Sequence, residues 1–342
     1  MSMDLKKLTM ELCRLPGPAG FETAVYKYIE SRLQPFADEI RTDTMGNLLA
    51  WRRCGKPGAK ILMLEAHMDE IGLIVTGAEE GFLRFTALGG VDPRVLPALE
   101  VRVLGERELY GVIDTMPPHV IPDSEMDKAV DMKKLCIDAG LTQEEAERLV
   151  PPGTPVVFGS GCEELGESLL CGKSLDDRAC AAIMIKAFQE LSGQDLEYDI
   201  CLLLSTQEEV GTRGAVTGAW AAEPDLAVIS DVTFAKAPDC PEITVVMGGG
   251  AAIGVGPNMN RALTEELFRI ASERGIPCQT EVCPGGSCGT DAAVIQVSRM
   301  GVATALLSLP IRYMHTPTET ALLTDMESVC RLVVEFALHG EV

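Results

Sequence analysis

The chain has 342 residues, of which 46% are hydrophobic and 23% are charged, so it can form one large domain or two and is not a disordered protein. Its 51 acidic residues exceed its 29 basic residues by 22, which gives a formal net charge of −22. Such a chain lacks the basic surface that binds nucleic acid, and anionic membranes repel it. We therefore expect no nucleic-acid partner and no membrane partner.

The N-terminus and the cysteines predict a cytoplasmic protein. The first residues alternate charged and apolar side chains, without the apolar segment and cleavage site of a signal peptide. No apolar run is long enough to span a membrane. The 12 cysteines are scattered without a CxxC pair, which favours reduced thiols over a disulfide framework. We expect a soluble, cytoplasmic protein.

Helical and extended patterns alternate at both ends of the chain. In the N-terminal part, residues 4–13 and 22–33 have the spacing of amphipathic helices, a hairpin is predicted through residues 43–47, and residues 60–66 form an apolar run typical of a buried strand. Alternation of this kind predicts an α/β fold with a mixed, mostly parallel sheet flanked by helices on both faces.

The middle of the chain has a different pattern, with short strands, Gly and Pro between them, and one polar helix near residues 142–149. This pattern predicts a small β-rich, barrel-like unit inserted into the α/β domain. We therefore predict a main domain of residues 1–69 plus 171–342 and an inserted domain of residues 70–170. The predicted strands of the insertion are residues 72–78, 82–88, 99–105 and 108–114.

The C-terminal part returns to the alternating pattern. A helix over residues 181–191 and a strand over residues 199–205 are followed by a strand over residues 226–230 and a helix over residues 263–274. The residues that flank the insertion would then come together at its base.

His67 and Asp69 follow the first apolar strand and lie two residues apart, so on an extended backbone they point to the same face. The carboxyl end of a strand in an α/β sheet is where ligands bind. A histidine there can bind a metal through one ring nitrogen while a carboxylate orients the other. Taken alone, the pair fits a surface histidine beside acids equally well.

Two pairs of adjacent acids are the next candidates. Asp176 and Asp177 precede a helix, where they could cap its N-terminus or where one of them could bridge two metal ions. Glu208 and Glu209 follow a purely apolar strand, and buried adjacent acids are costly unless a cation meets them. One could ligate a metal while the other acts as a general base. A solvated strand end is the alternative.

Asp231 and His315 also follow apolar strands. Together with the residues above they form a set of histidines and carboxylates at strand ends, a ligand set that suits zinc, cobalt or manganese. Two such ions bridged by a carboxylate and a water would supply hydroxide at neutral pH. The set therefore predicts a hydrolase.

Six motifs resemble one known family, the tetrahedral-shell (TET-type) dinuclear metallo-aminopeptidases. These are the glutamyl and deblocking aminopeptidases, which also carry the name endo-glucanase. The resemblance covers nearly the whole chain, and the segments GGVDPRVLPALEV and PPHVIP resemble the family's inserted domain. It implies a zinc-exopeptidase-like fold. The motifs are AHMDEIG, LDDR, QEEVGTRGA, SDVT, GGSCGTDA and RYMHTPTE.

The resemblance implies two divalent metal ions per subunit, with zinc as the first expectation and cobalt or manganese as the alternatives. His67 and His315 would each bind one ion, and Asp176 would bridge the two. Glu209 would ligate one ion and Asp231 the other.

The resemblance also implies the roles of four further residues. Glu208 would be the general base for a metal-bridging hydroxide, and Asp69 would orient His67. Thr290 and Asp291 would lie near the substrate end of the site.

The expected activity is removal of N-terminal residues from peptides. The resemblance further implies that the inserted domain is an oligomerisation domain, through which dimers build a dodecamer. A metal-dependent deacylase of small N-acyl amino-acid derivatives is the main alternative. An endo-glucanase would leave His67 and His315 unexplained. A non-catalytic shell protein would have no need of Glu208.

Overall fold

The computed structural model describes residues 3–120, 128, 130–238, 240–283 and 288–341. The described α-helices are α1 (Leu5–Arg14), α2 (Thr23–Leu33), α3 (Gln143–Leu149), α4 (Leu175–Glu190), α5 (Arg213–Ala222), α6 (Arg261–Arg274), α7 (Ala292–Ile295) and α8 (Leu323–His339). Short 3₁₀ turns are Pro93–Val95, Pro118–Val120 and Met132–Lys134. No helix in these ranges is long and apolar enough to cross a membrane.

An 11-stranded mixed sheet forms the main body. Its strands are β1 (Glu39–Thr42), β2 (Leu48–Arg52), β3 (Ile61–His67), β10 (Cys162–Leu165), β11 (Leu169–Gly172), β12 (Asp199–Ser205), β13 (Leu226–Phe234), β14 (Ala251–Val255), β15 (Cys278–Val282), β16 (Ala303–Arg312) and β17 (Glu319–Leu322). The order β1-β2-β12-β3-β13-β16-β17-β11-β10 is parallel from β12 to β16 and antiparallel towards both edges, and β14 pairs with β15 and β16.

The central strands are apolar throughout because helices cover both faces of the sheet. On β3, Leu62 and Leu64 pack into a buried cluster with residues of α1, α4 and α8. Met63, which points the other way, packs with Ala215 and Ala219 of α5. The expected α/β class, with helices on both faces of a mixed sheet, is confirmed.

A closed barrel interrupts the sheet between β3 and β10, as the sequence predicted. Its strands are β4 (Gly72–Glu79), β5 (Phe82–Leu88), β6 (Glu100–Leu104), β7 (Glu108–Ile113), β8 (Ile137–Asp138) and β9 (Pro155–Phe158), in the order β4-β5-β8-β7-β6-β9. The sequence pattern missed β8 and β9, which close the barrel. The chain returns from β9 to β10 and β11, which lie at one edge of the large sheet.

The cysteines differ from the sequence-based expectation at one point. Cys283 and Cys288 form a disulfide, and the other ten cysteines are free. The expectation of reduced thiols throughout is therefore wrong at this pair, whose Cα atoms lie 5.1 Å apart, within the usual range for a disulfide.

Candidate metal centre

The predicted site residues meet beside the carboxyl ends of the central parallel strands of the large sheet. His67 is the last residue of β3 and lies beside Ser205, the last residue of β12. The loop after β12 therefore brings Glu208 and Glu209 next to the histidine. Asp231 comes from β13 on the other side of β3, and lies within that strand because β13 continues to Phe234.

The other two residues come from the returning chain. Asp176 lies in the first turn of α4, where both it and Asp177 have non-helical backbone dihedrals and are joined by a cis peptide bond. No side-chain cap closes the start of this helix. His315 lies in the connection between β16 and β17. The helix-capping alternative for the two aspartates is therefore not what the structure shows.

Asp176 stands between the two histidines. Its Oδ1 lies 3.2 Å from Nε2 of His67, and its Oδ2 lies 3.1 Å from Nε2 of His315. Nε2 of His315 is also 3.4 Å from Oε2 of Glu209, and Nε2 of His67 is 4.0 Å from Oδ1 of Asp231. The five side chains thus form two groups, each with one imidazole and one further carboxylate, that share Asp176.

Asp69 is fully buried and contacts both His67 and the loop after β12. One of its oxygens lies 3.3 Å from Nδ1 of His67. Its carboxylate also accepts hydrogen bonds from the backbone N–H groups of Glu208 (3.0 Å) and Glu209 (3.1 Å). A carboxylate on the second nitrogen of a histidine is the arrangement that fixes a metal-binding imidazole.

Two residues that contact the site were missed by the sequence analysis. Glu319 is buried and accepts hydrogen bonds from the backbone N–H groups of Asp176 (3.0 Å) and His315 (2.8 Å). Gly90, in the barrel segment after β5, lies so close to His315 that a Cβ there would be 2.6 Å from Nδ1. The signals were an acid four residues after His315 and the GG pair of GGVDPR.

Burial raises the pKa of several acids at the site. It raises the pKa of Glu208 to about 9 and that of Asp231 to about 7, with His67 opposing both shifts and neighbouring carboxylates adding to them. The pKa of Glu209 is raised well above its ordinary value for the same reason. These shifts indicate negative charges that the surrounding protein does not neutralise.

The histidines and the shared carboxylate behave differently. Burial opposes ionisation of Asp176, but hydrogen bonds from His315 and His67 hold its pKa well below the ordinary value. Burial likewise disfavours the charged form of His67, yet its contacts with Asp176 and Asp69 raise its pKa. The hydrogen bond to Asp176 raises the pKa of His315. The two imidazoles therefore supply the positive charge that stabilises the ionised form of Asp176.

The donor set fits divalent metal ions. Ligand atoms of His67, Asp176 and Glu209 lie within 4.8 Å of one another, and so do those of His67, Asp177 and Asp231. Oε1 of Glu209 and both carboxylate oxygens of Asp177 are buried without an N–H or O–H donor among the described residues. Cations would satisfy these oxygens, and a set of imidazoles and carboxylates without thiolate suits zinc, cobalt or manganese. Asp177 is a candidate ligand that the sequence analysis did not assign.

Thr290 and Asp291 are both buried, at 5% and 2% exposure. Asp291 accepts a hydrogen bond of 2.7 Å from the hydroxyl of Ser205, which also lies 2.8 Å from Glu65. This places Asp291 beside the end of β12, and its negative charge helps to raise the pKa of Glu208. The proposed contact of the two residues with substrate stays a prediction.

An α/β sheet with histidines and carboxylates gathered beside the carboxyl ends of its parallel strands is typical of metal-dependent hydrolases. Residues 46–332 match the family described as M42 glutamyl aminopeptidase, and the chain belongs to that family. The predicted family and its peptidase class are thereby confirmed. The protein is a hydrolase of peptide bonds of the aminopeptidase type, and its family implies the use of divalent metal ions.

Three relatives illustrate the similarity. The lysyl aminopeptidase of Pyrococcus furiosus is 37% identical over 333 residues, which cover 95% of this chain and 94% of that protein. The TET aminopeptidase of a marine sediment Thaumarchaeota archaeon has a TM-score of 0.92 at 30% identity and covers 99% of this chain and 98% of its own. A TET peptidase of Pyrococcus horikoshii, which can assemble into a tetrahedron or a large octahedral shell, has a TM-score of 0.86 at 31% identity and covers 98% and 100%.

Proposed function

We propose that the protein is a two-metal aminopeptidase that removes N-terminal residues from peptides. The observation that carries this proposal is the position of Asp176, which presents one carboxylate oxygen to each of two imidazoles, at 3.2 and 3.1 Å. His67 and Asp231 would hold one divalent ion, His315 and Glu209 the other, with Asp176 shared. Zinc is the first expectation, and cobalt or manganese fit the same ligands. Bound divalent ions polarise a carbonyl and lower the pKa of water.

Glu208 is the general base in this proposal. Its backbone N–H is anchored to Asp69, whereas its carboxylate accepts no hydrogen bond from the described residues and is free to reach the attacking water. Burial raises the pKa of Glu208 in the metal-free chain to about 9. Divalent ions bound beside it would lower this pKa, because a nearby positive charge favours the carboxylate form, and the carboxylate could then take a proton from the water. It then gives that proton to the leaving amine, as an acid–base catalyst with a matched pKa does.

The acidic surroundings favour a substrate with a free N-terminus. The negative charges of Asp231 and Asp291 help to raise the pKa of Glu208, that of Glu208 helps to raise the pKa of Glu209, and that of Asp291 helps to raise the pKa of Asp231. A negatively charged cleft attracts the positive α-ammonium group of a peptide and aligns its first peptide bond with the catalytic groups. This attraction of the α-ammonium group favours exopeptidase activity over endopeptidase activity.

Hydrolysis of a panel of aminoacyl-p-nitroanilides tests the proposal. The panel is assayed after chelation and again after re-addition of zinc, cobalt or manganese. Release of p-nitroaniline that disappears with the chelator and returns with metal is the expected result, and the panel ranks the preferred side chains. A protein that binds two metals but cleaves no aminoacyl substrate would favour the alternative, a deacylase of small N-acyl amino-acid derivatives.

We also propose that the inserted domain, whose barrel consists of β4 to β9, mediates assembly into dimers that build a dodecamer. The support is the similarity to the shell-forming Pyrococcus horikoshii peptidase and the exposed apolar side chains of the barrel, which include Tyr110 at 62% and Phe82 at 41% exposure. Size-exclusion chromatography with light scattering should give a mass near that of twelve chains of 36.7 kDa each. A stable monomer that is fully active on peptides would contradict this assembly.

A further inference from the structure

A buried ionic cluster lies at the base of the barrel and has no part in the proposed reaction. Glu70, Lys173 and Arg178 are each no more than 1% exposed. Nζ of Lys173 lies 2.6 Å from Oε2 of Glu70, and Nη2 of Arg178 lies 3.7 Å from Oε1. The hydroxyl of Ser174 also donates to Glu70. This cluster is a buried network of several groups rather than a single surface pair.

The cluster joins the segment that leaves the large sheet for the barrel to the connection between β11 and α4 in the main domain. Glu70 lies on the outgoing segment, between the end of β3 and the start of β4 at Gly72. Lys173 lies on the returning segment, the connection between β11 and α4 that follows the return of the chain from the barrel to the large sheet. The ion pair between them, 103 residues apart in sequence, therefore holds the outgoing and returning segments against each other.

Each of these segments also carries a residue of the candidate metal centre. Asp69 directly precedes Glu70 and holds the N–H groups of Glu208 and Glu209. Asp176 follows Lys173 by three residues, so a movement of the returning segment would move the carboxylate shared by the two imidazoles. The distance between Asp69 and Asp176 thus depends on a contact outside the metal centre itself.

The type of interaction suggests a reason for its presence. Taking a lysine and a glutamate out of water costs free energy that a well-packed apolar pair would not, so a buried ion pair is weak evidence for a role in stability. In some proteins a buried polar or ionic group instead fixes one geometry, and removal of either partner of a buried pair is costly because it leaves a charge unpaired. A defined distance between two backbone segments is what a dinuclear site needs.

We propose that Glu70 and Lys173 are positioning residues for peptide hydrolysis, which set the separation of the Asp69 and Asp176 segments and so the geometry of both metal positions. This inference rests on the proposed two-metal aminopeptidase function. It assigns no contact with substrate to either residue.

The test compares Glu70→Gln, Lys173→Met and the double variant with the wild-type protein, each loaded with cobalt. Three quantities are measured: the visible absorption spectrum of bound cobalt, kcat and KM on the best aminoacyl-p-nitroanilide, and the melting temperature. Arg84→Gln is the matched control, because it breaks an exposed 2.8 Å pair with Glu79 at the far end of the β4–β5 hairpin.

The expected result for the single variants is an altered cobalt spectrum and a kcat lower by about 10- to 100-fold, the usual effect of removing support for metal ligands, with KM changed far less. Arg84→Gln should match the wild type in all three measurements. If a single variant fails to fold, the double variant, in which neither Glu70 nor Lys173 leaves the other as an unpaired charge, is measured in its place. Arg178 loses its carboxylate partner in that variant but keeps its hydrogen bonds to the carbonyl oxygens of Leu12 and Gly17.

Folded variants with a wild-type cobalt spectrum and wild-type kcat would overturn the inference, even if their melting temperature falls. The cobalt spectrum does not depend on turnover, so it separates this outcome from failure of the proposed function. If the proposed aminopeptidase function itself were wrong, the wild-type protein would show no metal-restored hydrolysis.

Discussion

Replacement of Gly90 with alanine tests how closely the barrel must approach the metal centre. A Cβ at this position would lie 2.6 Å from Nδ1 and 2.9 Å from Cε1 of His315, whereas ordinary contacts begin at 3.4 Å. The imidazole must then withdraw by about 0.8 Å, the difference between 3.4 and 2.6 Å. That movement lengthens its contacts with Asp176 (3.1 Å) and Glu209 (3.4 Å), which define one of the two proposed metal positions.

A displacement of this size in a catalytic centre costs about 100-fold in rate, so we expect Gly90→Ala to lower kcat/KM by about that factor. The assay is hydrolysis of an aminoacyl-p-nitroanilide at saturating metal concentration, with the melting temperature as a check of folding. Gly77→Ala is the control, since a Cβ on Gly77 meets no atom within 4 Å. A Gly90→Ala protein with at least a third of the wild-type activity would refute the argument that His315 must stay where it is.

Three further predictions follow from the same site. Glu208→Gln should keep both metals in elemental analysis but lose about 100- to 10,000-fold in kcat, and wild-type turnover would exclude Glu208 as the base. Asp176→Asn should bind fewer than two metals per chain, because both imidazoles share that carboxylate; a full complement of two would contradict a bridging role. Burial raises the pKa of Glu208 from 4.5 to about 9 and that of Asp231 from 3.8 to about 7, so the folded, metal-free chain keeps protons that the unfolded chain releases. The melting temperature of the metal-free chain should therefore decrease as the pH is raised from about 5 to about 8. An increase in the melting temperature over this range would contradict these shifts.

The sequence was most informative where local pattern and strand position coincide. The apolar run that ends at His67 and the one that precedes Glu208 both form central parallel strands, and their register places the two strand ends side by side. Apolar runs of this length suit a buried strand, and polar residues at or directly after their ends lie at the carboxyl ends of the strands, where ligands bind. The ends of strands were predicted less well. The predicted strand over residues 226–230 continues to Phe234 as β13, so Asp231 lies inside the strand rather than after it.

The residues that were missed depend on contacts between distant parts of the chain. Gly90 is important because of its distance to His315, and Glu70 because of its pairing with Lys173, and neither relationship leaves a local pattern. Glu319 links two backbone N–H groups that lie 139 residues apart in sequence, Asp176 and His315. The strands β8 and β9 were missed because they are short and their pairing closes a barrel rather than a local hairpin.

We propose that two metal ions held through Asp176 make the protein an aminopeptidase. The most direct test is a titration of the chelated protein with cobalt, in which bound metal and hydrolysis of an aminoacyl-p-nitroanilide are followed together. We expect no activity without metal and maximal activity when two ions are bound per chain. Full activity after chelation, or no cleavage of any aminoacyl substrate with two ions bound, would contradict this proposal.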